Sequence, residues 1–183
     1  MIKIKFNKSA PEYFHLNFEY ETHSLFPELD WLLINYKINQ LSTHFKIEIL
    51  AFVMMTNHCH LLLKTKYKTE NYFSEKLIQE LSIKNETINN SLVEPITNIT
   101  QFLNTYKYIY RNPVEAGIVS RCEDYKFSSL YGLLGKGYLE TQIIDPVAII
   151  QNPKKILIWL NYNNKKNYFT STCRFAASLT HHE

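Results

Sequence analysis

A chain of 183 residues, 45% hydrophobic and 20% charged, has enough apolar content to bury one globular core. No apolar run approaches the roughly eighteen residues of a membrane helix, "MIKIKFNKSAPEYF" lacks the apolar stretch of a secretory signal, and three cysteines without CxxC spacing exclude a disulfide framework or zinc ribbon. A net charge of +3, with Lys64, Lys66 and Lys68 alternating in one stretch, is compatible with binding phosphate but does not demand it.

In chain order, "EYFHLNFEYET" (12–22) places Phe14, Leu16, Phe18 and Tyr20 on one side, the period of a half-buried strand. "SLFPELDWLLINYKINQLSTHF" (24–45) sets Leu29, Leu32, Leu33, Tyr36, Ile38 and Leu41 near helical spacing, with Pro27 in the first turn. "KIEILAFVMM" (46–55) reads as a strand buried on both faces, "TN" as a turn, and "HCHLLLK" as the returning arm of a hairpin. The polar segment 70–92, with scattered apolar residues, predicts a helix. A second helix is expected from near Pro95 to Asn112, where Pro113 stops it, since proline disfavours helical geometry in the residue before it. "EDYKFSSLYGLLGKG" opens the final third. The sum is an α+β sandwich on an antiparallel sheet, with 1–140 as one domain and 141–183 as a C-terminal extension, helical and then disordered.

The hairpin carries the first chemical signal. Side chains at i and i+2 of a strand share a face, with α-carbons about 6.6 Å apart at roughly 3.3 Å per residue. His58 and His60 can therefore lean onto one cation while Cys59 points the other way, into the core. They form half of a metal site, a pair gripping phosphate, or two half-exposed histidines on a strand edge. Imidazole suits Zn, Mn, Fe or Cu better than Mg, and a third ligand must come from elsewhere.

The second helix supplies a candidate phenol. At about 100° per residue, Ile99, Phe102, Leu103, Tyr106, Ile109 and Tyr110 gather on one apolar arc, so Tyr106 and Tyr110 read as core aromatics. Tyr108 falls opposite, among Gln101, Asn104, Thr105 and Asn112, and faces solvent or a site. Asn112 lies one turn on along the same face, where its amide oxygen can reach a metal or simply end the helix before proline. A phenol with its ordinary pKa of about 10 is a poor nucleophile. It becomes useful where a cation stabilises charge developing on phosphoryl oxygens.

With these residues in hand, the chain resembles the single-tyrosine HUH transposases of insertion-sequence type, and especially the REP-associated tyrosine transposases. "MTNHCHLLLKT" is similar to that family's His-hydrophobic-His strand. "YIYRNPVEAGIVSRCEDYKFSSLYGLLG" is similar to its tyrosine helix and the segment that follows. The likeness spans about residues 45–64 and 99–135. It implies a ferredoxin-like α+β sandwich over 1–140, with His58 and His60 binding a divalent ion, Mg2+ or Mn2+, Asn112 as third ligand and Tyr108 as catalytic nucleophile. The implied partner is single-stranded DNA folded into hairpins, nicked and rejoined through a covalent 5′-phosphotyrosine. Phosphate contacts and exposed aromatics would recognise it. The implied place is the cytoplasm, in association with the nucleoid. Relatives act as monomers or homodimers, and nothing in the sequence chooses between them.

Three departures stand out. Thr56 occupies the position of a usual proline, the asparagine-rich "SIKNETINNSLVEPITNIT" replaces a basic aromatic stretch, and "TSTCRFAASLTHHE", with His181 and His182, has no counterpart. Two other readings stay open: a relic or domesticated hairpin-DNA-binding protein without chemistry, and an unrelated metallohydrolase using the histidine pair to activate water. The latter lacks an obvious carboxylate base beside the pair.

Overall fold

In a computed structural model, residues 4–7, 10–20, 28–81 and 88–162 are described. Pro27, the opening residues 82–87 of the asparagine-rich stretch, and the tail from 163 onward, with the disorder expected there, lie outside them. The elements run β1 (Tyr13–Tyr20), α1 (Glu28–Phe45), β2 (Glu48–Met54), β3 (His58–Lys64), α2 (Glu70–Leu81), β4 (Ile88–Ile96) and α3 (Ile99–Glu115). Two shorter helices follow, α4 (Ser129–Leu133) and α5 (Pro153–Asn161). The sheet order is β2-β3-β1-β4 with every pairing antiparallel, which is the ferredoxin-like arrangement.

Alternation along the two central strands divides the molecule. Phe14, Leu16 and Phe18 of β1 and Cys59, Leu61 and Leu63 of β3 point to one face. There they meet Trp31, Ile34, Ile38 and Leu41 of α1 and Phe73 and Leu77 of α2. On the other face Tyr13 and Leu62 meet Phe102, Tyr106, Ile109 and Tyr110 of α3. Each such side chain taken fully out of water contributes roughly 1.5–3 kcal/mol. Tyr106 and Tyr110 are 0% and 1% exposed, as their arc on the helix requires.

Two expectations fail at prolines. Residues 88–92 belong to β4 instead of a helix, and Pro95 sits inside that strand. Proline lacks an N–H for a sheet ladder, but β4 pairs only with β1 and so is an edge, where the missing donor is tolerated. Pro113, likewise, does not stop α3, which continues to Glu115. The stop is Gly117, at φ 70°. Its N–H donates to the Val114 carbonyl at 3.0 Å and that of Ile118 to Pro113 at 2.9 Å, the paired bonds of a Schellman motif. At the other end Asn98 caps the helix, its side chain accepting from Gln101 N–H at 2.9 Å.

Residues beyond α4 run along the β2 edge of the sheet, meeting α1 first and then the α3 side. Ile143 bridges Ile49 in parallel, and the Thr141 hydroxyl donates to the Asn35 carbonyl at 3.0 Å. α5 lies on the outer side of α3: Arg111 reaches the carbonyls of Leu160 at 3.3 Å and Asn161 at 3.1 Å, and Lys107 that of Tyr162 at 2.7 Å. Cations at the carbonyl end of a helix meet its partial negative charge. Burial, and then the neighbouring Arg111, pull the Lys107 ammonium below its ordinary pKa.

Candidate active site

α3 does more than seal a hydrophobic face, because that sheet face is polar at one end. The same alternation that sends Phe14, Leu16 and Phe18 inward turns His15, Asn17 and Glu19 to the α3 side. Across the ladder, Asn17 is opposite His60 and Glu19 opposite His58. On the other flank His15 is opposite Glu94 of β4. Tyr108 and Asn112 of α3 come down onto this patch.

The structure brings all four sequence-derived candidates together. The Tyr108 hydroxyl lies 3.4 Å from His60 Nε2, and the two rings sit edge to face with centroids 5.2 Å apart. Asn112 Oδ1 is 3.3 Å from His58 Nε2, and the two imidazoles have centroids 4.9 Å apart. Tyr108 is half-buried with its hydroxyl toward His60, so of the two positions its polar neighbours left open, solvent or a site, it does not take the fully solvent-facing one. The polar side of α3 is packed against a polar region of the sheet, a match no single-helix pattern can reveal. Cys59 is fully buried on the opposite face, where burial pushes its thiol well above the ordinary range.

Burial also governs the imidazoles. His60, 4% exposed, is held well below its ordinary pKa by desolvation, and the neighbouring His15 and His58 push the same way. His58 is lowered too, by burial, against opposing contributions from Asn112 and Glu19. Both rings are therefore biased toward the neutral form, the state in which imidazole can ligate a metal.

His58 has a polar partner at each ring nitrogen. It meets amide oxygens at both nitrogens: Asn57 Oδ1 at 2.8 Å from Nδ1 and Asn112 Oδ1 at 3.3 Å from Nε2. A neutral imidazole has one N–H and one lone pair. It donates to the nearer oxygen, and its other nitrogen is then satisfied by the Asn112 amide NH2 in the flipped orientation, by a proton, or by a metal ion. Burial disfavours the proton. The buried Oδ1 of Asn17, cross-strand from His60, has no hydrogen-bond partner among the described residues, so the patch is rich in oxygen and nitrogen lone pairs. Among the described residues, no three His, Cys, Asp or Glu side chains gather as a metal cluster. The donors that could meet a cation on this patch are the imidazoles of His58 and His60 and the side-chain amide oxygen of Asn112.

Sequence reasoning missed His15, Asn17, Glu19, Asn57 and Glu94. His15 is 5% exposed and stacks on His60 with centroids 5.1 Å apart. The signal was available in "HLNFE", whose polar residues alternate as regularly as its apolar ones.

No protein-family model and no curated protein matches the sequence. Among solved structures the chain is similar to a REP-associated tyrosine transposase bound to a REP hairpin. The TM-score is 0.62, with 18% identity over 80% of this chain and 92% of that one. No helix among the described residues is long and apolar enough to cross a membrane. The likeness in fold, at that identity, makes the chain a ferredoxin-like α+β protein similar in architecture to a hairpin-bound tyrosine transposase.

Proposed function

We propose that this chain is a tyrosine transposase-type enzyme that nicks and rejoins hairpin-bearing single-stranded DNA. The observation that carries the reading is the Tyr108 hydroxyl within 3.4 Å of His60, beside the His58–Asn112 pair. The similar solved structure, a transposase holding a hairpin, supports DNA as the partner. Tyr108 Oη would attack the phosphorus of a phosphodiester, forming an O–P bond to the 5′-phosphate as the bond to the 3′ oxygen breaks. The phenol proton ends on the departing 3′-hydroxyl. The phosphotyrosine retains the bond energy for rejoining, which hydrolysis would lose. A divalent ion, Mg2+ or Mn2+, held by His58, His60 and Asn112 would offset charge on the phosphoryl oxygens. Packing of Tyr108 between the sheet and the remainder of α3 limits the positions its hydroxyl samples, which is where orientation lowers a barrier.

Incubation of the full chain with labelled hairpin DNA and Mn2+, then denaturing electrophoresis, tests the reading. A shifted covalent species is expected with the wild type. Tyr108→Phe should abolish it, a loss of at least about 10³-fold, while hairpin binding persists. An adduct that survives Tyr108→Phe removes the assignment. A second reading is binding without chemistry, since the likeness in fold to a hairpin-bound protein supports DNA contact by itself. It predicts hairpin binding indifferent to EDTA and no adduct under any divalent metal.

A further inference from the structure

Behind the histidine pair lies a second line of polar groups that the proposed reaction does not use. His15 Nε2 is 3.2 Å from His60 Nδ1, and the far edge of the His15 ring, Nδ1, is 3.8 Å from the Glu94 carboxylate. The line is continuous: carboxylate, imidazole, imidazole, and then the Tyr108 hydroxyl at 3.4 Å from His60 Nε2. It spans three adjacent strands, because β1 lies between β4 and β3 in the sheet. Glu94 is held directly opposite His15 by the β1–β4 register. His15 and His60 are both nearly enclosed, so water cannot substitute for either partner.

We propose that His15 is a positioning residue, which fixes the proton of His60 on Nδ1 and so turns the lone pair of His60 Nε2 toward the metal and Tyr108 side. The inference rests on the functional reading above only for what that lone pair is used for. The carboxylate favours a proton on the ring nitrogen that faces it, Nδ1 of His15. In the proposed arrangement His15 carries its one ring hydrogen on Nδ1 and offers a lone pair at Nε2, and an N–H on His60 Nδ1 satisfies the 3.2 Å contact. A neutral ring with its proton there has its lone pair on Nε2. Metal-ligating histidines depend on this arrangement, in which a partner on the second nitrogen sets the tautomer and the ring plane. The His15 and His60 ring planes lie 28° apart with centroids 5.1 Å apart, a contact that also restrains rotation of His60 about its side-chain bonds.

The test uses the intact, metal-free chain labelled with 15N. Long-range proton–nitrogen spectra should show His60 with its hydrogen on Nδ1. His15→Gln, whose amide oxygen can accept the same hydrogen bond, should preserve that signature. His15→Leu should erase the preference. Glu94→Gln, on the solvent-accessible edge strand, should weaken it. Mn2+ titration followed by electron paramagnetic resonance should show affinity about ten- to a hundredfold weaker in His15→Leu. The Gln variant should stay near wild type.

A His60 in the wild type with hydrogen on Nε2 overturns the proposal outright. So does a folded His15→Leu whose tautomer and Mn2+ affinity match wild type. Should His15→Leu fail to fold, the wild-type spectrum and Glu94→Gln still decide. If no variant binds Mn2+ while the tautomer behaves as described, the metal reading fails and the positioning role stands.

Discussion

His60 has a measurable acid signature because burial lowers its pKa in the folded protein. The unfolded chain then binds more protons below the ordinary value of 6.5, so folding stability falls as pH drops from there toward the depressed folded value and is retained above it. His58 adds to the same trend. The thermal midpoint should therefore decline below about pH 6.5, and His60→Gln should flatten that slope, as a pH series of melts would show. Tyr110 offers a contrast. Its hydroxyl lies 2.9 Å from Ser129 Oγ, which in turn receives the Phe52 N–H at 2.9 Å, so the phenol ties α3 to α4 and β2. Tyr110→Phe should cost about 1–2 kcal/mol of stability in denaturant melts and leave the covalent adduct intact. Of the site residues, His58 and His60 were legible because a strand repeats every two residues, whichever protein it belongs to. His15 was hidden by the same rule, since only the apolar side of its strand had been read for meaning.

α3 is a helix whose three sides have separate duties. Phe102, Tyr106, Ile109 and Tyr110 bury against the sheet, Tyr108 and Asn112 cover its polar end, and Lys107 and Arg111 turn toward α5. Its apolar arc was readable from spacing, and so was the distinction between Tyr108 and its tyrosine neighbours. Its ends were not. Pro113 reads as a stop only if the residue before a proline must leave helical geometry, whereas Asn112 stays helical here and the chain runs on to Gly117. Gly117→Ala tests that terminator. A Cβ there would meet nothing within 4 Å, so the expected cost is purely that of the left-handed backbone, about 1–2 kcal/mol. For a chain of this size each kcal/mol lowers the melting midpoint by about 2–4 °C. β4 was illegible for a related reason: Leu92 is exposed, Pro95 interrupts the pattern, and an edge strand with one neighbour need not alternate cleanly.

At the scale of the molecule, the order β2-β3-β1-β4 places His15 in a central strand. The hairpin histidines lie on one side of it and Glu94 on the other. The α+β class was legible from the succession of strand and helix patterns, but the strand order was not, because pairing between distant segments leaves no local trace. The embrace of α3 by α5 carries its own consequence. Lys107 and Arg111 flank Tyr108 in sequence and hold the end of α5, so the phenol is braced from behind by that helix. A chain ended at residue 152 should keep slow amide exchange across the sheet while amides of 99–115 exchange faster, and its adduct yield should drop in step. A protease nick in the loop ahead of Pro153 would loosen that brace, so a change made on the far side of the fold would be felt at Tyr108.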